Sequence, residues 1–191
     1  MLRKFSVVVL AAVTLLAAPA FAQDTTNQGS SPIGSIEGAG GFNDKGVHTR
    51  PVAVSVLGFL PYSLGIGVAG RVTLPIINDG FLQEYNDSFE IELGADLAFG
   101  TYAFAGGGYM QLSLVPAEAR WTLHFTPQLD AFAKLGVGYT LYFSSYTGVG
   151  AYGNSFYLNP ALGVIYKLGD KFGLRAEGGY HGLKAGINLD F

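Results

Sequence analysis

From Arg50 to the last residue, apolar positions alternate with polar or small ones at a period of two. Phe89, Ile91, Leu93, Ala95, Leu97 and Phe99 alternate with Ser88, Glu90, Glu92, Gly94, Asp96 and Ala98. A helix would spread those carboxylates around its circumference, whereas a strand gathers them on one face. The same rhythm runs through Val52, Val54 and Val56, and through Ile66, Val68, Val72 and Leu74. It returns in Ala117, Ala119, Trp121, Leu123 and Phe125, set against Glu118, Arg120, Thr122 and His124. From Leu129 to Phe143 the odd positions are apolar, while Asp130, Phe132, Lys134, Gly136 and Gly138 share the other face. Leu112 and Leu114 have the opposite parity, which predicts a bulge near Val115-Pro116, where a residue without an N–H is tolerated.

Segments from Phe156 to Lys167, Phe172 to Tyr180 and Leu183 to Phe191 complete the set. A Gly/Ser/Tyr loop is expected at 144–154, and short turns at Thr126-Pro127-Gln128 and Gly169-Asp170-Lys171. Eight strands of about 9–16 residues suit a bilayer, which a tilted strand of about 9–11 residues crosses, and bacterial barrels have an even count starting at about eight. The expected fold is all-β, an antiparallel up-and-down transmembrane β-barrel.

Ahead of the alternation the chain reads differently. Arg3 and Lys4 precede an apolar run from Phe5 to Ala18, and Ala20-Phe21-Ala22 offers a small-x-small cleavage site. The expectation is a signal peptide at 1–22, a flexible tail at 23–48 rich in Gly, Ser, Asn and Thr, and the barrel at 49–191.

Composition narrows the environment. Charged residues are 13% of the chain, against about 25% in soluble proteins. A soluble barrel points apolar residues inward and needs charge to coat its outside, and this chain has too little. With 28 glycines, many on the polar faces, the small residues that a narrow lumen requires are present. Removing Arg3 and Lys4 leaves nine basic residues against 14 acidic ones, which argues against a nucleic-acid partner. No cysteine occurs, and the three histidines (His48, His124 and His181) are far apart in sequence, so neither a disulfide framework nor a metal or cofactor site is expected.

Aromatics cluster near the expected strand ends. Tyr62, Phe99, Tyr102, Phe104, Tyr109, Phe143, Tyr146, Phe156 and Tyr180 fall at one set, and Phe81, Tyr85, Phe89, Trp121, Phe125, Tyr166, Phe172 and Phe191 at the other. Two interfacial belts would use them. The last strand places Lys184, Gly186, Leu189 and a terminal Phe191 in the order polar, Gly, apolar, aromatic.

With these features residues 50–191 resemble the small outer-membrane barrels typified by the OmpA transmembrane domain and its OmpX-like and OmpW-like relatives. The resemblance implies an integral protein of the Gram-negative cell outer membrane, surrounded by its lipids, including lipopolysaccharide. It also implies that Lys184, Gly186, Leu189 and Phe191 form a signal to the barrel assembly machinery. The chain departs from the pattern in its long linker at 75–87, its very short loop near His181-Gly182 and an expected lack of long protruding strands.

The expected lumen carries Glu90, Glu92, Asp96, Glu118, Asp130 and Glu177 with Arg71, Arg120, Lys134, Lys167, Arg175 and Lys184. Charges so placed must pair, because isolated burial costs several kcal/mol per ion, on the order expected for real proteins. The expected role is structural, anchoring or surface-binding, without catalysis and with any envelope partner unknown. Two alternatives stay open. One is a narrow porin-like path for small solutes. The other is a lipid-modifying hydrolase built on His181 and Glu177 with Ser144, Ser145 or Ser155.

Overall fold

The computed structural model describes residues 41–44, 46–82, 84–102, 107–144 and 151–191, with 102 and 151–154 described by their backbone alone. The expected signal peptide, most of the tail, Phe104, Ser145 and Tyr146 lie outside the described residues. The described residues form nine strand segments: β1 Ala53–Pro61, β2 Gly65–Ile77, β3 Asp87–Tyr102, β4 Gly107–His124, β5 Leu129–Ser144, β6 Ala151–Leu158, β7 Ala161–Lys167, β8 Phe172–Gly179 and β9 Gly182–Asp190.

β6 and β7 are one strand of the barrel. Leu158 faces Val137 and Ala161 faces Lys134, both on a single unbroken register along β5. Between them Asn159 still donates its N–H to Gly136 at 2.9 Å, while Pro160 has no N–H to offer. Each strand pairs antiparallel with its sequence neighbours, and β1 pairs with β9 to close an eight-stranded, all-β barrel. Paired residues followed around the wall lead from Gly163 through Glu177, Lys184, Phe59, Gly67, Ala98, Gln111 and Tyr142 to Gly153. The path returns to the same strand ten residues from its start, which is the stagger of the barrel. Eight strands so staggered enclose a space that side chains can fill.

The expected bulge is present, with the β4–β5 register shifting between Leu114 and Ala117. Further shifts occur at Pro75/Ile77 and Glu92/Gly94. The expected loop at 144–154 is shorter at both ends, because Ser144 belongs to β5 and β6 begins at Ala151. Nor do the strands lack length: β3, β4 and β5 have 16, 18 and 16 residues, against eight and nine in β8 and β9. Gly182 makes the β8–β9 turn tight, with φ at 150° and no room for a Cβ, which would lie 2.3 Å from the Leu60 carbonyl.

The alternation sorts the wall into two faces. Val56, Ile66, Val68, Leu135, Leu162, Leu174 and Leu183 point outward and are exposed. Phe156, Tyr180 and Tyr62 flank this band at one end, and Phe81, Tyr166 and Phe191 at the other, all exposed. Tyr109 is an exception to the expected belts: it is buried and points inward. Apolar outside and charged inside inverts the soluble arrangement and suits hydrocarbon.

Candidate functional site

The lumen is the site. All twelve expected charges turn inward, and eleven are buried, with Lys167 intermediate. Strand parity selects them, while register across strands decides which meet. Glu92, fully buried, is the hub: its carboxylate lies 2.8 Å from Lys134, 2.8 Å from Arg175, 3.4 Å from Arg120 and 3.5 Å from Arg71. Lys134 also reaches Glu118 at 2.9 Å and Glu177 at 3.0 Å. Lys184 binds Asp96 at 2.8 Å, and Arg120 binds Glu90 at 3.2 Å. Lys167 binds Asp130 at 2.8 Å. Six cations thus face six carboxylates, each with an opposite charge in reach.

Apolar groups complete the cross-section. The Phe132 ring lies under two guanidinium groups, Arg175 at 4.9 Å and Arg120 at 5.2 Å. Leu57 and Val115 are buried beside this layer. Inward glycines make room for large partners. A Cβ at Gly163 would lie 2.2 Å from the Phe132 ring, and one at Gly138 would lie 2.1 Å from the Tyr157 ring.

At the end of the barrel that holds the C-terminus, a second chain of contacts appears. Asp130 Oδ1 is 2.7 Å from Nδ1 of His124, whose Nε2 is 2.9 Å from Ser88 Oγ. The order is that of a Ser-His-Asp triad, but Ser88 is completely buried and also donates to Glu90 at 2.5 Å. That hydroxyl is committed to a carboxylate and closed to solvent, unlike the accessible nucleophile of a hydrolase triad. Beside it a pocket of about 150 Å³ is lined by Arg50, Glu90, Arg120, His124 and Asp130, among others. Sequence spacing could not reveal this line, since β3, β4 and β5 each contribute one member.

Of the alternative built on His181, Ser145 lies outside the described residues. Glu177 is bound to Lys134 and Arg175, while His181 packs edge-on against Tyr157 at 4.0 Å and Tyr180 at 5.3 Å. Its Nε2 is buried without a hydrogen-bond partner. Burial, helped by the Lys184 ammonium, holds the imidazole below the ordinary histidine value and hence neutral. Ser155 is exposed on β6, and Ser144 closes β5.

Residues 41–44 and 46–50, overlapping and adjoining the stretch expected as tail, lie at the same end as the pocket. Phe42 stacks between Tyr85 at 4.5 Å and Phe125 at 5.1 Å. Its carbonyl accepts the Asn86 N–H at 2.8 Å. The turn after β2 is itself organised by Asp87, whose carboxylate accepts the N–H groups of Phe81 and Leu82 and the Trp121 indole.

No model of a known protein family matches the chain, and no curated protein matches it by sequence. Among solved structures it is similar to the N-terminal β-barrel domain of Pseudomonas aeruginosa OprF, with a TM-score of 0.50 and 16% identity. That match covers 75% of this chain and 98% of the other. The fold is that of the small outer-membrane β-barrels. A second solved structure is the attachment invasion locus protein Ail of Yersinia pestis, at TM-score 0.47 and 12% identity, covering 73% of this chain and 97% of that one. The last strand of this barrel points Leu183, Ile187, Leu189 and Phe191 outward and buries Lys184 and Asn188 within. Phe191 extends the closure by donating its N–H to the Val52 carbonyl at 2.9 Å.

Proposed function

We propose that this chain is an integral outer-membrane barrel with a structural, anchoring or surface-binding role, and that its lumen is a closed ionic plug with neither a conducting path nor an active centre. The observation that carries the reading is Glu92, one buried carboxylate contacted by four cations from four different strands. A path for solute would have to part several of these pairs at once. Leaving one partner of a buried pair unpaired costs about 3–5 kcal/mol.

The outward apolar face supports the membrane location. Lipids, including lipopolysaccharide, are then the neighbours of the outward face. The barrel assembly machinery is the partner during insertion.

The test has two parts. Fractionation and protease accessibility should find the protein in outer-membrane vesicles, and recovery from the soluble periplasm would overturn the location. In planar bilayers the wild type should show no unitary conductance. Steady channels in the wild type would replace the plug with the porin-like alternative. No change in lipid A should accompany expression, and an altered lipid A lost in His181→Ala would restore the hydrolase.

A further inference from the structure

The strand that β6 and β7 share is flanked unequally along its length. Along β7 it pairs with β5 on one side and β8 on the other. Along β6 it pairs with β5 alone, from Leu158 opposite Val137 to Ala151 opposite Ser144. β8 stops at Gly179, opposite Ala161, and the chain turns back through Tyr180 and His181 into β9. Among the described residues no strand occupies the place beside β6 that a longer β8 would fill.

Two hydrogen bonds at Asn159-Pro160 fix which groups face that place. Asn159 donates its N–H to Gly136 of β5 at 2.9 Å, and the Pro160 carbonyl accepts the Tyr180 N–H at 3.2 Å, at the end of β8. In an antiparallel ladder this direction alternates residue by residue, and the register here is unbroken. The N–H and C=O groups of Leu158, Phe156, Asn154 and Tyr152 therefore point away from β5, into the open place. Hydrocarbon cannot satisfy such groups, so this edge belongs in the aqueous layer beyond the bilayer.

Edges that must stay unpaired are commonly guarded by charge, by proline or by a bulge. From Ala151 to Leu158 there is no charged residue, no proline and no register shift. The outward face beside the edge is apolar. Phe156 is 85% exposed and packs at 4.9 Å against the Tyr139 ring, and Leu158 and Tyr180 are exposed next to it.

We propose that β6 is an open docking edge that takes one uncharged, extended segment of a partner protein as a further antiparallel strand. The segment would be apolar at the positions beside Phe156 and Leu158 and polar between them. Backbone hydrogen bonds supply the affinity, and the alternate apolar side chains supply the selectivity. Every pair in this sheet is antiparallel. A second copy in the same bilayer presents its own β6 running the same way, as a parallel strand, so a foreign segment fits the place better. The inference rests on the surface-binding part of the proposed role and gives it a location.

Amide hydrogen exchange, read residue by residue by NMR on the folded barrel in lipid nanodiscs, tests the edge directly. In the barrel alone the Phe156 and Leu158 N–H groups should exchange fast, while the Tyr157 N–H, which faces β5, stays protected. The probe is a capped peptide of about eight residues that alternates valine and threonine. At saturation it should slow exchange at Phe156 and Leu158 by about tenfold or more and leave Tyr157 unchanged. Phe156→Pro removes an edge N–H without touching the β5 ladder, so the barrel should stay heat-modifiable and the slowing at Leu158 should be lost. Phe156→Ala keeps the edge groups and should keep the slowing, at a higher peptide concentration. Equal protection of Phe156, Leu158 and Tyr157 in the free barrel, no slowing by the peptide, or slowing that survives Phe156→Pro would overturn the docking edge. Slowing that appears without peptide and grows with barrel concentration would give the edge to a second copy and overturn the partner segment. None of these outcomes moves the fractionation or conductance results, on which the plugged-barrel reading stands.

Discussion

Gly136 on β5 lies directly across the ladder from Glu118 on β4, and a Cβ at Gly136 would come within 2.2 Å of Cγ of Glu118. Glu118 is fully buried and holds Lys134 at 2.9 Å, so the glycine provides the space that keeps one arm of the plug in place.

Gly136→Ala should therefore destabilise the barrel by about 1–3 kcal/mol through overpacking. Gly70→Ala is the control, since nothing lies within 4 Å of a Cβ there. Urea midpoints of the two variants, followed by the gel-mobility shift of folded against unfolded protein, should differ clearly. Equal midpoints would mean that the glycine face is not set by packing.

Glu92→Gln should be among the most damaging single changes in the lumen. It keeps the shape but leaves four cations without their shared anion, at a cost of about 3–5 kcal/mol. The double variant Glu92→Gln with Arg175→Met should recover part of the loss. A double-mutant cycle in the same urea assay checks this, and simple additivity would deny the pair any coupling.

Ser88 should resist fluorophosphonate labelling in the folded barrel, because its hydroxyl is buried and bonded to Glu90. Ser88→Ala should instead lower stability by about 1–3 kcal/mol by leaving buried polar groups unpaired. Rapid labelling of Ser88 in native protein would make the Ser88–His124–Asp130 line a catalytic triad.

Deleting Phe191 should reduce the yield of assembled, heat-modifiable barrel far more than its contacts alone require. One backbone hydrogen bond to Val52 is worth about 0.5–1.5 kcal/mol. A recognition signal lost with the residue would act on insertion, not on stability. Pulse-chase assembly in cells, compared with refolding into pure lipid, separates the two: both slowed alike would exclude a signal.

Much of the wall is legible in the residues themselves. Alternation marks the strands, and the parity switch around Val115-Pro116 locates a bulge that the register confirms. Inward parity also identifies the charged lumen set. Which acid meets which base is not legible, because Glu92 meets Arg175 only after the sheet closes between β1 and β9. Ser88, His124 and Asp130 stay hidden for another reason, since they meet only once β3, β4 and β5 pair in register. The break at Asn159-Pro160 divides one run of alternation without changing its register, so the eight-strand count survives. His48 gives no periodic signal at all: its place depends on a partner, Asp79, on the β2–β3 turn.

The unequal strand lengths have a consequence for the surrounding lipid. At roughly 3.3 Å per residue and a tilt of roughly 40°, β8 rises roughly 20 Å along the barrel axis, and β4 rises roughly 45 Å. The apolar band of an outer-membrane barrel is about 25 Å tall, so one sector falls short of it while the opposite sector overshoots. A bilayer meeting such a wall must thin on the side of β8 and β9, or the barrel must lean toward it. Either response creates a hydrophobic mismatch with a direction as well as a size. The protein would then collect where the membrane is already thin and orient its low side toward that region.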